Sequence, residues 1–453
     1  MSRRTPARLS VSLFALLPAV AVADPTVPSS VPSNAQPSSE EKVAANTPVQ
    51  TIIVTASPII GNPDRFATIV QQVTSRQILE SGGANVADSL AKLPGVDATN
   101  FSAGSSRPVI RGFDSYRVRV MENSIGSFDV SDIGADHGVP IDPLAAQDIE
   151  VVRGAATLRY GSQAIGGVVN VINNRVPTKL PDQPFVGSAS GGYDTDASAG
   201  DGSVLMDGRI GDLALHADGF TRHASNYDTP LGTQDNSFFR GDSYSGGGSY
   251  FFDDGNSRVG GAIIHYDAKY GIPSDTTFID MRQTKELVGS SFAIDAGPIQ
   301  TLNLTGGYAS YIHDEDNPDG SINSTFLDHE WEQRAELVIG KTGFLSASAI
   351  GFQAQHRDFS ALGADGDYLF PTHTKSFAGF AFAEAPAGKS GHFQFAVRAE
   401  NDDVHGTPAS DVLTGRSFVP VSGSAGVLFE LSDALKLGLT LSSAARAPEQ
   451  AEL

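Results

Sequence analysis

From about residue 185 to the end of the chain, apolar and polar residues alternate with a period of two. Residues 435–441 place leucine at every second position, and residues 213–217 and 393–397 repeat the pattern with other apolar side chains. One apolar and one mostly polar face is typical of strands that separate lipid from a polar lumen. A half-buried sheet of a soluble protein alternates in the same way, so the pattern predicts strands before it predicts a membrane.

The connections between these predicted strands alternate between short and long. Short turns are predicted at 211–212, 253–257, 297–298, 341–343, 387–391 and 432–433, and longer segments at 223–241, 271–283, 314–328, 358–373 and 404–416. Barrels of the outer membrane sort their short turns to one end and their long loops to the other. We therefore predict an antiparallel transmembrane β-barrel with about 13 strands, in which His216 and His265 face the lumen.

Before this region, residues 57–178 have the mixed pattern of one compact α/β unit. The stretch 85–93 spaces Val86, Leu90 and Leu93 along one face of a helix, which the following Pro-Gly pair ends. Short β-prone runs at 109–110, 116–121, 149–152 and 167–172 are predicted strands, and 123–143 is predicted to be a long loop.

The first residues of the chain are excluded from the predicted fold. Residues 1–23 combine a basic start, a short apolar run and an Ala-Val-Ala cleavage pattern, which predicts a secretory signal peptide. Residues 24–50 are rich in proline, serine and alanine and form a predicted disordered leader. The β-prone hexad 51–56 then either pairs with a partner protein as an added strand or begins the next unit.

Composition narrows the function. The formal net charge of −21, from 52 acidic and 31 basic residues, argues against nucleic acid as a partner. The chain has no cysteine, which excludes thiolate catalysis and cysteine-ligated metal sites. It has no nucleophile elbow, no H-E-x-x-H sequence and no P-loop. We therefore predict that it is not an enzyme and requires no resident cofactor.

One block of sequence carries a family resemblance. Residues 149–172 place four glycines between two β-prone runs, where tight turns or a closely approaching backbone are expected. Preceded by the helix-Pro-Gly-Val stretch and by the I-R-G-F sequence at 110–113, this block resembles the plug domain of TonB-dependent outer-membrane receptors. One departure is Ala155, where that family usually has proline.

The resemblance implies a domain organisation and a mechanism. It implies a plug domain at 57–178, an outer-membrane β-barrel at 185–453, and active import across the outer membrane. The hexad becomes a TonB box that binds a TonB-type periplasmic protein through Thr51, Ile52, Ile53, Val54, Thr55 and Ala56. Such receptors close 22 strands, so we expect this chain to be the N-terminal part of a receptor and its barrel not to close.

Histidines and carboxylates suggest the cargo. Imidazole and carboxylate together suit zinc or another divalent first-row metal. The loop around Asp136 and His137 resembles zinc-uptake receptors, which implies these two residues as ligands from the plug. The predicted barrel ligands are His329 and Glu330, which close a histidine- and acid-rich segment.

Other cargoes and another class of function stay open. Haem would use an axial histidine with aromatic neighbours, but Phe128 is the aromatic residue nearest to His137 in sequence. A siderophore-iron receptor would need an aromatic and basic outer pocket, which acidic loops do not provide. A surface receptor that binds or signals without transport is the alternative class.

Arginines of the plug predict contacts with the barrel. Arg111 and Arg153 each precede a glycine, and the family resemblance implies that such arginines contact barrel glutamates. Glu332 and Glu336 share the polar face of one predicted strand and are the expected partners. A planar guanidinium suits a buried carboxylate at such an interface.

Overall fold

A computed structural model of the protein describes residues 59, 67, 70–273, 275–363, 369–407, 412–432 and 435–453. The predicted signal peptide, the leader and the hexad 51–56 lie outside the described residues. Among the helices of the described part, none has the length and apolar character needed to cross a membrane.

Residues 70–176 form a small α/β unit, here called the inner domain. Its helices are α1 (Ser75–Ser81) and α2 (Val86–Leu90), with short 3-10 helices at Ser115–Arg117, Pro143–Ala145 and Gly154–Arg159. Its strands are β1 (Val70–Thr74), β2 (Val96–Ala98), β3 (Pro108–Ile110), β4 (Val118–Glu122), β5 (Ile125–Gly126), β6 (Asp148–Val152) and β7 (Gly167–Ile172). Within the described residues they form a five-stranded sheet of order β1-β6-β7-β4-β5 and a β2-β3 pair.

Local sequence explains both helices. The side chain of Thr74 accepts from the backbone of Gln77, whose own side chain accepts from Thr74, and Gly82 ends α1 in a left-handed conformation. Asn85 caps α2, whose Val86 and Leu90 are buried as the spacing predicts. The helix is shorter than predicted, because the chain turns after Leu90 towards Pro94.

The glycines of the 149–172 block allow close packing. A Cβ on Gly167 would lie 2.7 Å from Ile110 Cδ1, and one on Gly166 would lie 2.5 Å from the Cβ of Phe113. Both distances are too short for side-chain atoms. The expected reason for the glycines, a closely approaching neighbour, is therefore confirmed, and that neighbour is the I-R-G-F segment.

The rest of the chain forms one large antiparallel sheet. Its strands are β8 (Phe185–Asp194), β9 (Ala199–Ile210), β10 (Leu213–Ala224), β13 (Phe239–Phe252), β14 (Ser257–Gly271), β15 (Phe278–Ala296), β16 (Ile299–Asp316), β17 (Ile322–Ile339), β18 (Ala347–Gly363), β19 (Leu369–Pro386), β20 (Gly391–Gly406), β21 (Thr414–Phe418), β22 (Val421–Ser432) and β23 (Leu435–Ser443). The short strands β11 (Asp228–Thr229) and β12 (Gly232–Thr233) form a separate hairpin, and Gln450–Glu452 is a 3-10 helix.

The large sheet confirms the predicted β-barrel architecture. Over the described residues it has 14 strands, and β8 and β23 stand at the two ends of the strand order. β21 lies beside that path and pairs with β20, which leaves 13 strands along it, as predicted. The sheet curves around the inner domain, which contacts strands from β10 to β23.

Two of the predicted long segments contain more strand than expected. β16 continues to Asp316 and β17 begins at Ile322, so the predicted loop 314–328 shrinks to the few residues between them. β15 likewise begins at Phe278, inside the predicted loop 271–283. The short turns at 211–212, 253–257, 297–298, 341–343 and 387–391 lie where they were predicted, and the predicted turn at 432–433 lies partly outside the described residues. Because the strands extend further, the period-two rule also applies to residues that the sequence assigns to loops.

Part of the inner face of the large sheet, along β14, is apolar. Ile264, Tyr266 and Tyr270 of β14 are buried on the inner side, where Tyr266 and Tyr270 pack with Val130 of the inner domain. The predicted inward position of His265 is therefore wrong. At this level the inner domain presents apolar side chains such as Val130, so between Ile264 and Tyr270 the apolar residues of β14 turn inward and the polar ones outward.

His216 differs from His265 in this respect. It is buried on the inner side of β10, where its two ring nitrogens lie 2.8 Å from Asp207 Oδ1 and 3.1 Å from Asp218 Oδ2. The predicted inward orientation of His216 is confirmed.

Candidate functional site

The candidate site is built around His137, in the long loop of the inner domain between β5 and β6. This loop is held against the large sheet by Tyr270 of β14. The backbone N–H of Gly138 donates to the Tyr270 hydroxyl at 2.8 Å, and that hydroxyl donates to the Asp136 carbonyl at 3.1 Å. A Cβ on Gly138 would lie 2.2 Å from the Gly104 carbonyl oxygen, so only glycine fits here. His137 is buried as a result.

Strand β16 brings two further ligand side chains to His137. Tyr311 and His313 are buried on the inner face of this strand, and Glu315 follows at the next inward position. Nε2 of His137 lies 3.6 Å from Glu315 Oε1 and 3.8 Å from Asp136 Oδ2. One ligand atom each from His137, His313 and Glu315 lies within 4.8 Å of the other two.

The hydrogen bonds of the two imidazoles leave one nitrogen of each ring facing this group. Nδ1 of His137 donates to the Val130 carbonyl at 3.0 Å, which leaves Nε2 on the side of Glu315. Nδ1 of His313 lies 2.8 Å from the Tyr311 hydroxyl. Its Nε2 is buried and has no hydrogen-bond partner among the described residues. A buried polar atom without a partner is costly, and a bound cation would satisfy it.

This donor set has the chemistry of a site for a divalent transition metal. Two imidazoles and a carboxylate are zinc ligands. The Asp136 carboxylate lies 3.8 Å from His137 Nε2, beside this group of three. With zinc–ligand bonds of about 2.0–2.2 Å, tetrahedral ligand atoms stand about 3.3–3.6 Å apart. The distance between His137 and Glu315 already falls near that spacing. In each imidazole the nitrogen that does not face the group, Nδ1, has its own hydrogen-bond partner, and such a bond orients metal-ligating histidines.

The charge around His137 favours its protonated form when no cation is present. Burial alone would lower the pKa of His137, but the hydrogen bond with Glu315 and the nearby Asp136 carboxylate raise it above the ordinary value of 6.5. A cation at this position replaces the proton and gains the same two carboxylates as neighbours.

Aromatic rings enclose the group closely. The ring centroids of His313 and Phe326 are stacked at 4.4 Å, and His137 meets Phe326 edge-on at 4.7 Å. Tyr270 and Tyr311 are fully buried beside them. The aromatic surroundings of His137 are thus richer than its neighbours in sequence suggest, because β14, β16 and β17 supply the rings.

The structure does not bring the two predicted barrel ligands to His137. On β17, Asp328 and Glu330 are buried on the inner face, while His329 between them is exposed on the outer face. Glu330 instead accepts from Gln355 and lies 4.0 Å from Arg357. In place of the predicted His329 and Glu330, the barrel residues that lie beside His137 are His313 and Glu315. Their H-x-E spacing would have identified them if this segment had been predicted as strand, since residues i and i+2 share a face.

The two predicted glutamates lie at the interface of the inner domain and the large sheet. Glu332 is fully buried and accepts from Arg119 at 2.7 Å and from Arg334 at 3.0 Å. Glu336 accepts from Nε of Arg159 at 2.7 Å. The inner domain thus contacts both predicted glutamates, but through Arg119 and Arg159.

The two arginines predicted for this role do not reach the glutamates. Arg111 is exposed and adopts a left-handed backbone conformation with φ of 53°. Arg153 donates to the Pro94 carbonyl at 3.1 Å, within the inner domain. The Arg-Gly sequence therefore did not identify the arginines that contact these glutamates. Arg119 lies on β4, and Arg159 ends a 3-10 helix, so both positions are set by the packed inner domain.

Further buried ion pairs connect the same two parts. Arg175 contacts Glu122 of β4 at 2.6 Å and Asp218 of β10 at 2.9 Å, and Lys285 of β15 lies 3.2 Å from Glu122. Burial would raise the pKa of Glu122, but Lys285 and Arg175 lower it to about 2. Arg357 of β18 joins the inner domain through Asp132 at 3.4 Å. The interface therefore contains several buried ion pairs that join the inner domain to the large sheet.

Comparison with known proteins gives matches for both parts of the chain. Residues 63–168 match the family described as TonB-dependent Receptor Plug Domain, and residues 208–453 match the family described as TonB dependent receptor-like, beta-barrel. The chain is 31% identical to the Heme/hemopexin utilization protein C of Haemophilus influenzae over 30% of its length. It is 32% identical to the vitamin B12 transporter BtuB of Photobacterium profundum over 34% of its length. These matches cover 19% and 25% of the two relatives.

Solved structures share the fold. The copper transporter OprC superposes with a TM-score of 0.71 at 14% identity, over 82% of this chain and 62% of that one. The FrpB iron transporter of Neisseria meningitidis superposes with a TM-score of 0.69 at 12% identity, over 86% of this chain and 65% of that one. The chain thus spans less than two thirds of the length of each of these four proteins.

Proposed function

The chain belongs to the TonB-dependent receptors, outer-membrane proteins of Gram-negative bacteria that are not enzymes, and from this premise we propose that it imports a divalent metal ion, with zinc as the cargo. In family terms, the inner domain is the plug and the large sheet is barrel wall.

The observation that carries the proposal is the ligand group at the top of the inner domain. His137 comes from the plug, and His313 and Glu315 come from the barrel wall, so one ion would bridge the two parts. His313 Nε2 is buried without a partner among the described residues, which supports a ligand at this point rather than a packed histidine. Zinc accepts two imidazoles and one or two carboxylates in a closed site, whereas Ca²⁺ and Mg²⁺ select oxygen ligands.

Haem is the alternative cargo, because one relative is named as a haem utilization protein and aromatic rings surround His137. A porphyrin would need an open slot beside an axial histidine. Here His313 and Phe326 are in stacking contact, and Tyr311 and Tyr270 are fully buried behind them. The closeness of these rings favours a bare ion over a macrocycle.

Import would proceed by displacement of the plug. The ion first binds between His137 and the barrel wall. The TonB-type periplasmic protein then pairs with residues 51–56 and pulls on the chain. Movement of the plug separates His137 from His313 and Glu315, which opens the coordination sphere and releases the ion towards the periplasm. The same movement has to break the Arg119–Glu332 and Arg159–Glu336 contacts, so release requires work from the inner membrane.

Uptake of labelled zinc by cells that carry the full-length receptor tests the proposal. We expect His313→Ala to reduce both zinc binding and uptake. The matched control His329→Ala, an exposed histidine on the next strand, should leave uptake unchanged. Equal uptake in the His313→Ala strain and the wild type would contradict zinc import through this site, and a tight haem complex of the wild type would favour the alternative.

A second experiment separates import from binding without transport. Deletion of residues 51–56 should abolish zinc uptake and leave zinc binding intact, because these residues pair with the periplasmic protein and do not ligate the ion. Unchanged uptake after this deletion would favour a receptor that binds at the surface without transport.

A further inference from the structure

A second group of histidines lies on the outer face of the large sheet. The antiparallel register places His329 of β17 opposite Asp358 of β18, Asp358 opposite His373 of β19, and His373 opposite His405 of β20. These residues form one row across four neighbouring strands. His356 lies two residues before Asp358, on the same face of β18. We call these five residues the outer histidine row.

Side chains of the row already converge on one carboxylate. Nε2 of His356 lies 3.1 Å from Asp358 Oδ1, and Nδ1 of His373 contacts the same oxygen. His373 and Asp358 are largely open to solvent, with side-chain exposures of 57% and 42%. His329 and His405 are exposed on either side. The register sets His373 directly opposite His405, with Cβ atoms about 4.5–5.5 Å apart, a spacing from which these two imidazoles reach one ion, while His356 lies diagonally across from His373.

We propose that the outer histidine row is a second binding site for a divalent transition metal, separate from the cargo site. Asp358, His356 and His373 supply the ligands, and His329 and His405 stand one strand spacing away on either side. Imidazole with carboxylate is the donor set that zinc, nickel and copper prefer. A negatively charged carboxylate at the centre of the row disfavours an anion such as phosphate.

The position of the row separates it from the import path. It faces away from the inner domain, on the opposite side of the sheet from Glu330 and Arg357, which are buried. Below it, the outer surface turns apolar at Phe352 and Phe377, which are 69% and 60% exposed. Exposed aromatic rings mark the membrane interface of such barrels. The row therefore lies just beyond that interface, towards the end of the sheet that carries the longer connections.

The row does not depend on the proposed cargo site, so the two proposals fail separately. His373 is exposed and His356 lies on the outer face away from the interface with the inner domain, so their replacement should not disturb that interface. With this second site, the wild-type receptor would bind two zinc ions although only one site serves import, so zinc stoichiometry alone would not report the cargo site.

Equilibrium dialysis of the purified full-length receptor against Zn²⁺ tests the inference. We expect about two zinc equivalents for the wild type and one fewer for the His356→Ala/His373→Ala variant, with zinc uptake unchanged. The His137→Ala/His313→Ala variant should lose the other equivalent together with uptake. The control His223→Ala, an exposed histidine on the distant strand β10, should keep both equivalents.

Wild-type stoichiometry in the His356→Ala/His373→Ala variant would overturn the inference. So would an equal loss in His223→Ala, because it would reveal non-specific binding to surface histidines. X-ray absorption of zinc on the His137→Ala/His313→Ala variant adds an independent readout. Imidazole scattering is expected there, and a shell made only of oxygen would refute the assignment.

Discussion

Replacing Glu332 by alanine should release the inner domain from the large sheet far more easily. Three guanidinium groups, those of Arg119, Arg159 and Arg334, share two buried carboxylates, Glu332 and Glu336. Glu332 accepts from two of these arginines, from the backbone N–H of Gly126 at 3.2 Å and from Gln353 at 2.6 Å. Its removal therefore leaves buried positive charge without a counter-charge.

The size of the effect follows from this environment. Breaking a buried ion pair by removal of one partner costs about 3–5 kcal/mol, because the remaining charge stays desolvated. When the inner domain separates, Arg119 returns to water and that penalty disappears. The equilibrium between the contacting and the separated state should then shift by about 100- to 3,000-fold towards separation, at about 1.4 kcal/mol for each factor of ten.

A single thiol can report this equilibrium, since the chain has no cysteine of its own. Ser162 of the inner domain is buried against the large sheet, where its hydroxyl donates to Glu400 of β20 at 3.0 Å, and cysteine is close to serine in size. In the Ser162→Cys receptor, the rate of thiol modification measures the fraction of molecules in which the inner domain has separated from the large sheet. In the Glu332→Ala variant, the thiol should be modified about 100- to 3,000-fold faster.

The control is Glu430→Ala, which removes an exposed glutamate 3.7 Å from Lys436. Surface pairs contribute about 0–1 kcal/mol, so thiol modification should change by less than about fivefold. If Glu332→Ala behaved like this control, the buried pairs would not hold the inner domain. A double-mutant cycle with Arg119→Ala that showed no coupling would lead to the same conclusion.

Four further outcomes are expected at the cargo site. Zinc titrations from pH 8 to 6 should show affinity falling already above pH 6.5, because Glu315 and Asp136 raise the pKa of His137 and zinc needs its neutral ring. In thermal unfolding, the zinc-free protein should become less stable as the pH rises. The stabilisation by protonated His137 is complete below the unfolded pKa of about 6.5 and is lost as the pH rises through the raised folded pKa. Tyr311→Phe removes the hydroxyl that orients an imidazole and should weaken zinc binding about 10- to 100-fold in the same titration, and an unchanged affinity would remove this orienting role. Gly138→Ala should cost about 1–3 kcal/mol of stability by thermal unfolding and weaken zinc binding, since the added Cβ meets a backbone carbonyl, and wild-type behaviour would contradict the tight fit of this loop.

Much of the fold could be predicted from local pattern. Period-two alternation identified the strands of the large sheet, and glycine and proline positions identified its short turns. The Gly166-Gly167 pair indicated close packing, which the structure attributes to Ile110 and Phe113. Such features depend on neighbours in sequence and on the backbone, so the sequence carries them directly.

The site could be predicted only in part. Asp136 and His137 were found because they lie together in one loop. His313 and Glu315 were missed because their segment was predicted as loop, where no face is defined. His329 was chosen although it faces outward, since the prediction could not tell which of two adjacent residues faces the lumen.

By itself, the sequence determined the type of each element, the absence of cysteine chemistry, and the residue types from which a site can be built. The tertiary structure alone decided which face of each strand meets the inner domain and which residues stand opposite one another across strands. The reason is physical. Alternation defines two faces but not their surroundings, and between Ile264 and Tyr270 of β14 the apolar residues turn inward because an apolar part of the inner domain lies against them. Likewise Glu332 and Glu336 were identifiable as buried carboxylates, but their partners Arg119 and Arg159 follow from the packing of two separate parts of the chain.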